Sequence, residues 1–516
     1  MKILLISLNR EAEPFTAAPL GMALVASALK AAGHKVRALD LLFSEDADRD
    51  IADAIEGFSP GLVGVSLRNI ESSTEFLLPA YREVIGHIKS LTRAPVVMGG
   101  PGFSIMPKQA LDYLGLELGV VGEGERAAVE LARAIDEGRD PAGIPGVSVR
   151  RAGTYVHIPQ TRMEDLSKSH GPAWEMLPVH RYDMVGIQAK RGCSFGCVYC
   201  TYPSLEGRRL RLRTPEDVVR ELGALSGEGE APAFYFVDNV FNNPRSHAEG
   251  ICRAIISSGI KVEWGCLASP LGLDVPLLEL MQKAGCVSVE IGADSLSDRA
   301  LAGLGKAFKA KDVADAVEAT KATGMMGMVF LILGGPGEDK DTLRETFDAL
   351  DALKPDKAFA VAGLRIYPGT PLRDIAVREG VIEPDDNLLI PMFYVSRAIG
   401  DALYGIAEGY FKARPGWIYY PAKGVLDGKK ASIPAGDAVW DTDASVCLDK
   451  VLADVPRLLR PVVKRAIRKK AGALALTRER TSVSPIEVRD AFLSETPGPF
   501  MSGMKESLRR LGLING

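Results

Sequence analysis

Three cysteines within eight residues, Cys193, Cys197 and Cys200 in GIQAKRGCSFGCVYCTY (186–202), constrain this chain more than any other stretch. The run follows a strand-like segment and contains glycines that let a short loop turn back, so three thiolates converge on one inorganic centre. Its spacing, C-x-x-x-C-x-x-C, lacks the paired C-x-x-C knuckles that close a four-ligand zinc site. Three thiolates suit an iron–sulfur cluster, and a four-iron cluster held by three cysteines keeps one iron open to bind and reduce a ligand. A zinc ion completed by a distant His or Cys, and chance clustering, are the alternatives this spacing leaves open.

At 516 residues the chain is too long for one ordinary domain, and length predicts about two to four. A net charge of −4 argues against a general polyanion-binding surface, so nucleic acid is not an expected partner. The start, MKILLISLN, has an apolar run too short for a signal peptide and no small-residue cleavage site, and it reads as a buried first strand. No stretch approaches the roughly 20 apolar residues of a transmembrane segment. The other cysteines, Cys252, Cys266, Cys286 and Cys447, are scattered and do not make a disulfide framework, which places the chain in reducing cytoplasm.

From residue 1 to 138, apolar runs at 2–8, 35–41, 61–67, 95–100 and 118–124 alternate with helical patterns such as 20–32, 75–92 and 125–137. Strands joined by helical crossovers predict an α/β, doubly wound parallel sheet, Rossmann-like, with its ligand at the strands' carboxyl ends. Those ends carry Ser66, Leu67, Arg68 and Asn69 after the third run, Gly99, Gly100 and Gly102 after the fourth, and Gly122, Glu123 and Gly124 after the fifth. The first strand is followed by NREAEPF, not by G-x-G-x-x-G, which disfavours a nicotinamide or flavin site. Residues 139–183 read as a linker with a small hairpin, VSVRRAGTYVHI, and Trp174, His180 and Tyr182 in it are better explained by packing than by capping a cofactor.

From 184 to 372 the alternation resumes, with strands at 185–190, 233–239, 261–267, 286–294, 328–335 and 357–370. Six such repeats predict a partial (β/α)6 barrel whose site lies at the carboxyl ends of its strands, where the cysteine loop sits. Beyond 373 the pattern becomes mainly α-helical, with helices expected at 396–412, 444–456, 457–472 and 485–494, an aromatic turn-rich stretch at 414–424, and a role as substrate cap. The basic run 457–470 places Leu459, Val462, Val463 and Ile467 at helical spacing, the pattern of a solvated helix or of a face that lies on a membrane or an anionic substrate.

The cysteine spacing, with Tyr199 before the last cysteine, resembles the radical S-adenosylmethionine (SAM) enzymes, and G-G-P-G with V-x-G-E-G-E upstream resembles the cobalamin-dependent (B12-binding) branch of that family. The resemblance implies three cofactors: a 4Fe-4S cluster on Cys193, Cys197 and Cys200, S-adenosylmethionine, and cobalamin on the residues named at the first sheet's strand ends. It further implies SAM contacts from Tyr199, Asp238, Glu290, Ser295, Gly334, Ile366 and Tyr367. The D-x-H-x-x-G motif that supplies a lower cobalt ligand in other classes is absent. Arg68 is the candidate for that face, and a guanidinium does not deprotonate to become a ligand. The activity implied is methyl transfer to a poorly activated carbon. The partners implied are a small-molecule, lipid or peptide substrate and an external electron donor of flavodoxin or ferredoxin type. Cobalamin-assisted ring closure, ring contraction or oxygenation, a non-radical methylation, and a redox or corrin sensor are the alternatives.

Overall fold

The structure is a computed structural model that describes residues 1–12, 15–72, 75–151, 153–227, 232–414, 416–422, 439–478, 480 and 482–514. Glu13 and Pro14 of the NREAEPF loop, the hairpin turn at Ala152, and Pro415, Lys423 and Gly424 of the aromatic stretch lie outside the described residues. The chain forms two compact units: Met1–Leu225 with Arg365–Tyr394 and Ala422–Gly428, and Ser226–Leu364 with Val395–Pro421 and Lys429–Gly516.

In the first unit, strands β1 (Lys2–Ser7), β2 (Lys35–Asp40), β3 (Leu62–Ser66), β4 (Val96–Gly99) and β5 (Leu118–Val120) pair in the order β2-β1-β3-β4-β5. Every pairing among them is parallel. All of β1 after Lys2 is buried, as a strand covered by helices on both faces must be. The order reverses between β1 and β3, and at such a switch point the following loops part to leave a ligand crevice. The loops that part there are those beginning at Leu8 and at Leu67.

The linker hairpin is part of this sheet: β6 (Val147–Arg151) pairs antiparallel with β5, and β7 (Thr154–His157) with β6. Trp174 and Tyr182 pack, as their residue type suggests. Trp174 is buried and donates its indole N–H to Glu221 at 2.9 Å, and the Tyr182 hydroxyl donates to Asp40 at 2.6 Å. His180 is exposed.

After β8 (Val185–Ile187) comes a short antiparallel pair, β9 (Lys190–Arg191) and β10 (Arg211–Leu212), with Arg191 opposite Arg211. The cysteine loop hangs from this pair. In the second unit β11 (Phe234–Phe236), β12 (Trp264–Ala268), β13 (Cys286–Asp294), β14 (Met326–Leu333) and β15 (Lys357–Ala362) follow one another as parallel neighbours. A further strand that the sequence pattern did not reveal, Ile418–Pro421 in the aromatic stretch, pairs parallel with β15. The architecture is therefore an amino-terminal doubly wound sheet, a partial barrel and a mainly helical carboxy-terminal region.

That last region does not cap the barrel mouth with its main helices, contrary to expectation. Helices Thr442–Leu452, Arg460–Thr477, Pro485–Glu495 and Met501–Arg510 share an apolar cluster with Met326 and Met328 at the amino end of β14. Arg457 N–H donates to Glu263 at 2.6 Å, just before β12. The apolar faces of these helices find cover at the strands' amino ends, away from the chemistry. The segment from Val395, with helix Ala402–Lys412, does reach a carboxyl end, where Ser396 N–H donates to the Gly334 carbonyl at 2.8 Å.

The basic helix resolves largely the same way: Leu459 and Ile467 are buried in the cluster and Val463 packs against it, while Val462 is half-buried, so most of its apolar positions belong to the core. Among the described residues no helix is long and apolar enough to cross a membrane. Ile467→Ala should cost about 2–5 kcal/mol, read as a lower urea midpoint, with no change in liposome co-sedimentation; a membrane face would show the reverse.

Candidate functional site

The cysteine loop is fastened at its base before any cofactor is considered. Gly192 N–H donates to Glu206 at 3.0 Å and Cys193 N–H to the Gly207 carbonyl at 3.0 Å, so the loop's two ends are stitched together. Cys193 is buried, Cys197 and Cys200 are partly exposed, and none of the three is in a disulfide. Val198, between the last two, accepts the Leu372 N–H at 2.9 Å, which ties the loop to helix Pro371–Arg378.

Among the described residues no three His, Cys, Asp or Glu side chains are gathered to hold a single metal ion. In a four-iron cluster each thiolate takes its own iron. The donor set fits a cluster.

Below the loop lies a buried ionic network. Arg191 and Arg211 stand opposite each other on β9 and β10, an arrangement that two like charges would destabilise. Glu123, in the loop after β5, and Glu125, in the first turn of helix Gly124–Asp136, neutralise them. Arg191 pairs with Glu125 at 2.5 Å and Glu123 at 3.2 Å, and Arg211 pairs with Glu123 at 2.5 Å while also donating to the Met163 and Glu206 carbonyls, both at 2.8 Å. Burial works against the Glu123 charge, but the Arg211 hydrogen bond and the charges of Arg191 and Arg211 hold its carboxyl below the usual range. Glu123, expected to touch cobalamin, is thus committed to anchoring the cysteine hairpin. Gly122 and Gly124 flank that anchor: Gly122 N–H donates to Ser104 at 2.8 Å, and a Cβ on Gly124 would stand 2.9 Å from Val25.

The glycines after β4 are also required for a reason other than a flat ligand. Gly100 has φ of 99°, and a Cβ there would overlap the Leu67 carbonyl; one on Gly102 would lie 2.9 Å from the Arg68 carbonyl. Glycine lets the loop after β4 cross the loop after β3, and Gly102 N–H donates to the Leu67 and Arg68 carbonyls at 3.1 and 3.0 Å. Gly99 pairs with Ser66 at the strand ends. Leu67 is fully buried, so its side chain belongs to the core.

Arg68 is exposed and Asn69 partly so. Both influence Glu11, whose carboxyl is raised by burial and drawn back by Ser72, Arg68 and Asn69.

Sequence reasoning missed Asn9 and Glu71. Asn9 Oδ1 follows β1 and Glu71 Oε2 follows β3, and both are buried acceptors without a hydrogen-bond partner. They flank the switch-point crevice, and cobalamin, edged with amide N–H donors, fits such acceptors. Asn9 was visible as the first polar residue after an apolar strand. Glu71 had no local signal, because its other oxygen accepts from Arg365 at 3.0 Å and the Tyr367 hydroxyl at 2.8 Å, nearly 300 residues away.

Ile366 and Tyr367, expected beside adenine, are largely engaged. Ile366 is fully buried, its N–H donates to the Met392 carbonyl at 2.9 Å, and the Tyr367 carbonyl accepts from Thr370 at 2.7 Å. Tyr199, partly exposed, stays within the cysteine loop.

The second unit buries two acidic groups, one within β13 and one in the loop after β14. Glu290 on β13 accepts from the Tyr235 hydroxyl at 2.8 Å, and burial pushes its carboxyl up to about 7 against that bond. Glu338 is likewise pushed up to about 7 by burial, despite accepting the backbone N–H of Gly334. Its Oε1 is buried without a partner. Asp238 is buried after β11. Each of these carboxylates is chemically able to accept from a hydroxyl or an ammonium donor.

Ser295 does not join them: fully buried, it bonds Thr346 at 2.9 Å and accepts from Ser297 N–H at 3.1 Å, fixing the turn before helix Asp298–Gly303. Gly334 (φ 93°) is covered by Leu403, 2.6 Å from where a Cβ would be.

Residues 187–350 match the radical SAM superfamily and residues 11–132 match the B12 binding domain. The tryptophan 2-C-methyltransferase of Streptomyces laurentii is 29% identical over 425 residues, 68% of this chain and 70% of that protein. An uncharacterised methyltransferase of Pyrococcus horikoshii is 29% identical over 406 residues, 76% of this chain and 85% of its own length. The structure of the radical SAM methyltransferase TsrM from Kitasatospora setae, with cobalamin and a 4Fe-4S cluster bound, is similar with a TM-score of 0.71 and 26% identity, over 81% of this chain and 93% of that one.

Two outcomes follow from this geometry. Arg191→Met leaves buried carboxylates uncompensated and should cost about 3–5 kcal/mol in urea unfolding; a change under about 1 kcal/mol would mean the network is incidental. Because the folded-state Glu290 carboxyl is raised, its stabilising contribution is full below pH 4.5 and lost as pH rises through about 7. Glu290→Gln should therefore melt higher than the wild type at pH 8 and with it at pH 5.

Proposed function

Because this chain is a cobalamin-binding radical S-adenosylmethionine enzyme, we propose that it transfers a methyl group to a poorly activated carbon of a small organic substrate. The observation that carries the reading is the joining, in one compact unit, of a crevice with amide-accepting groups and a three-cysteine loop through the network of Glu123, Glu125, Arg191 and Arg211. When bound, the cluster supplies an electron, S-adenosylmethionine the adenosyl and methyl groups, and cobalamin the cobalt that carries methyl to carbon.

The chain's own residues position and insulate. Cys193, Cys197 and Cys200 would hold three irons of a cluster and leave the fourth without a protein ligand. In the second unit Glu290, Glu338 and Asp238 are acceptors that would suit ammonium or hydroxyl donors, while Ser295 only shapes a turn. Asn9 and Glu71 would accept hydrogen bonds from a bound corrin's amides, and Gly99, Gly100, Gly102, Gly122 and Gly124 let the surrounding loops close up. Arg68 and Asn69, in the loop after β3, would lie beside that corrin, and a guanidinium there would not deprotonate to become a metal ligand.

Tryptophan, the substrate named for two of the similar proteins, is the first compound to test. The segment from Val395 to helix Ala402–Lys412, at the strands' carboxyl ends, is where we place substrate selection. Cysteines that form no disulfide suit a reducing compartment, and we place the enzyme in the cytoplasm.

The test is anaerobic reconstitution with iron, sulfide, hydroxocobalamin, reductant and SAM. Wild-type protein should form 5′-deoxyadenosine and a product heavier by one methylene. Cys197→Ala should lose the cluster's visible absorbance and at least about 100-fold in product, a loss of about 2.7 kcal/mol in barrier terms. Retention of cluster and deoxyadenosine by that variant would contradict the assignment.

A further inference from the structure

The run after the cysteine loop, GRRLRLR (207–213), carries four arginines with two different fates. Arg211 is buried against Glu123, and Arg213 against Glu221 at 2.6 Å. Arg208 and Arg209 face solvent. Arg208 donates to the Phe195 carbonyl at 3.2 Å, in the turn between Cys193 and Cys197, and the residues on either side of Phe195, Ser194 and Gly196, are exposed.

Arg209 pairs with Glu164 at 2.6 Å in an ion pair whose side chains are 80% and 67% exposed, too wet to cancel the charge by binding it tightly. Arg162, Arg208, Arg209 and Arg211 together line a recess of about 240 Å³. The other acidic residue there, Glu206, turns inward to Gly192 N–H. The exposed Arg208 and Arg209 and the half-exposed Arg162 therefore stand against one exposed glutamate, on a chain whose net charge is −4. This excess sits where the cysteine loop itself reaches solvent.

We propose that this arginine surface docks an acidic one-electron donor protein of flavodoxin or ferredoxin type. The inference rests on the function proposed above, which needs an electron from outside the chain. In the step, the reduced donor loses one electron and the oxidised cluster gains it; no bond forms or breaks. Exposed opposite charges of this kind raise the encounter rate and orient the partner more than they deepen affinity. They do so less as salt rises.

The test is anaerobic stopped-flow reduction of the reconstituted holoenzyme by reduced flavodoxin, followed at the cluster's visible absorbance. The variant Arg162→Glu with Arg209→Glu leaves the Arg208 contact to the loop in place. At low ionic strength its second-order rate should fall by about 10-fold or more, and its salt dependence should flatten. Dithionite, which needs no docking, should reduce variant and wild type alike, which also shows that the variant is folded and loaded. Arg208→Glu is the second variant and should slow flavodoxin in the same direction. Equal flavodoxin rates in wild type and both variants would overturn the docking surface. A wild-type protein that dithionite cannot reduce would overturn the proposed function and this surface with it.

Discussion

The structure depends on one electrostatic arrangement: two arginines facing each other across a two-residue-wide ladder, neutralised by two glutamates from another part of the chain. Arg191 and Arg211 close the base of the cysteine loop, and they are tolerable side by side only because Glu123 and Glu125 reach them. Breaking a buried set of charges at one member leaves the others uncompensated, so it resists piecemeal change. The consequence is positional. A loop that must hold three thiolates in register gains a rigid base from the domain that binds the second cofactor.

This changes the meaning of a motif. In sequence, G-E-G-E after β5 reads as a ligand loop because glycines and a polar residue end a buried strand. In the folded chain its carboxylates point to arginines, and the glycines after β4 are demanded by the crossing of two loops, as the overlap at Gly100 shows. At the switch point, where ligands of such sheets generally lie, Asn9 and Glu71 offer open hydrogen-bonding capacity.

Much of the fold was legible. Both sheets announce themselves through apolar runs separated by helical patterns, and the cysteine spacing states its own chemistry. What stayed hidden required long-range partners. Glu71 is read only beside Arg365 and Tyr367, and the strand Ile418–Pro421 only beside β15, because its aromatic residues and flanking turns mask a short edge strand. Ser295 looks like a ligand from its place after a strand, yet its hydroxyl is consumed by Thr346 and Ser297. The last helices look like a lid because they follow a barrel. Their apolar faces instead match Met326 and Met328, at the amino end of β14, which no pattern within the helices could tell.

The central claim is that methyl passes from S-adenosylmethionine to a carbon through cobalamin. It is tested most directly by incubating anaerobically reconstituted enzyme with trideuteromethyl-labelled S-adenosylmethionine and tryptophan or a metabolite extract, with and without cobalamin, and reading products by mass spectrometry. The account predicts a small-molecule product that gains the labelled methyl on carbon only when cobalamin is present. A labelled product formed equally well without cobalamin, or turnover products without label, would contradict it.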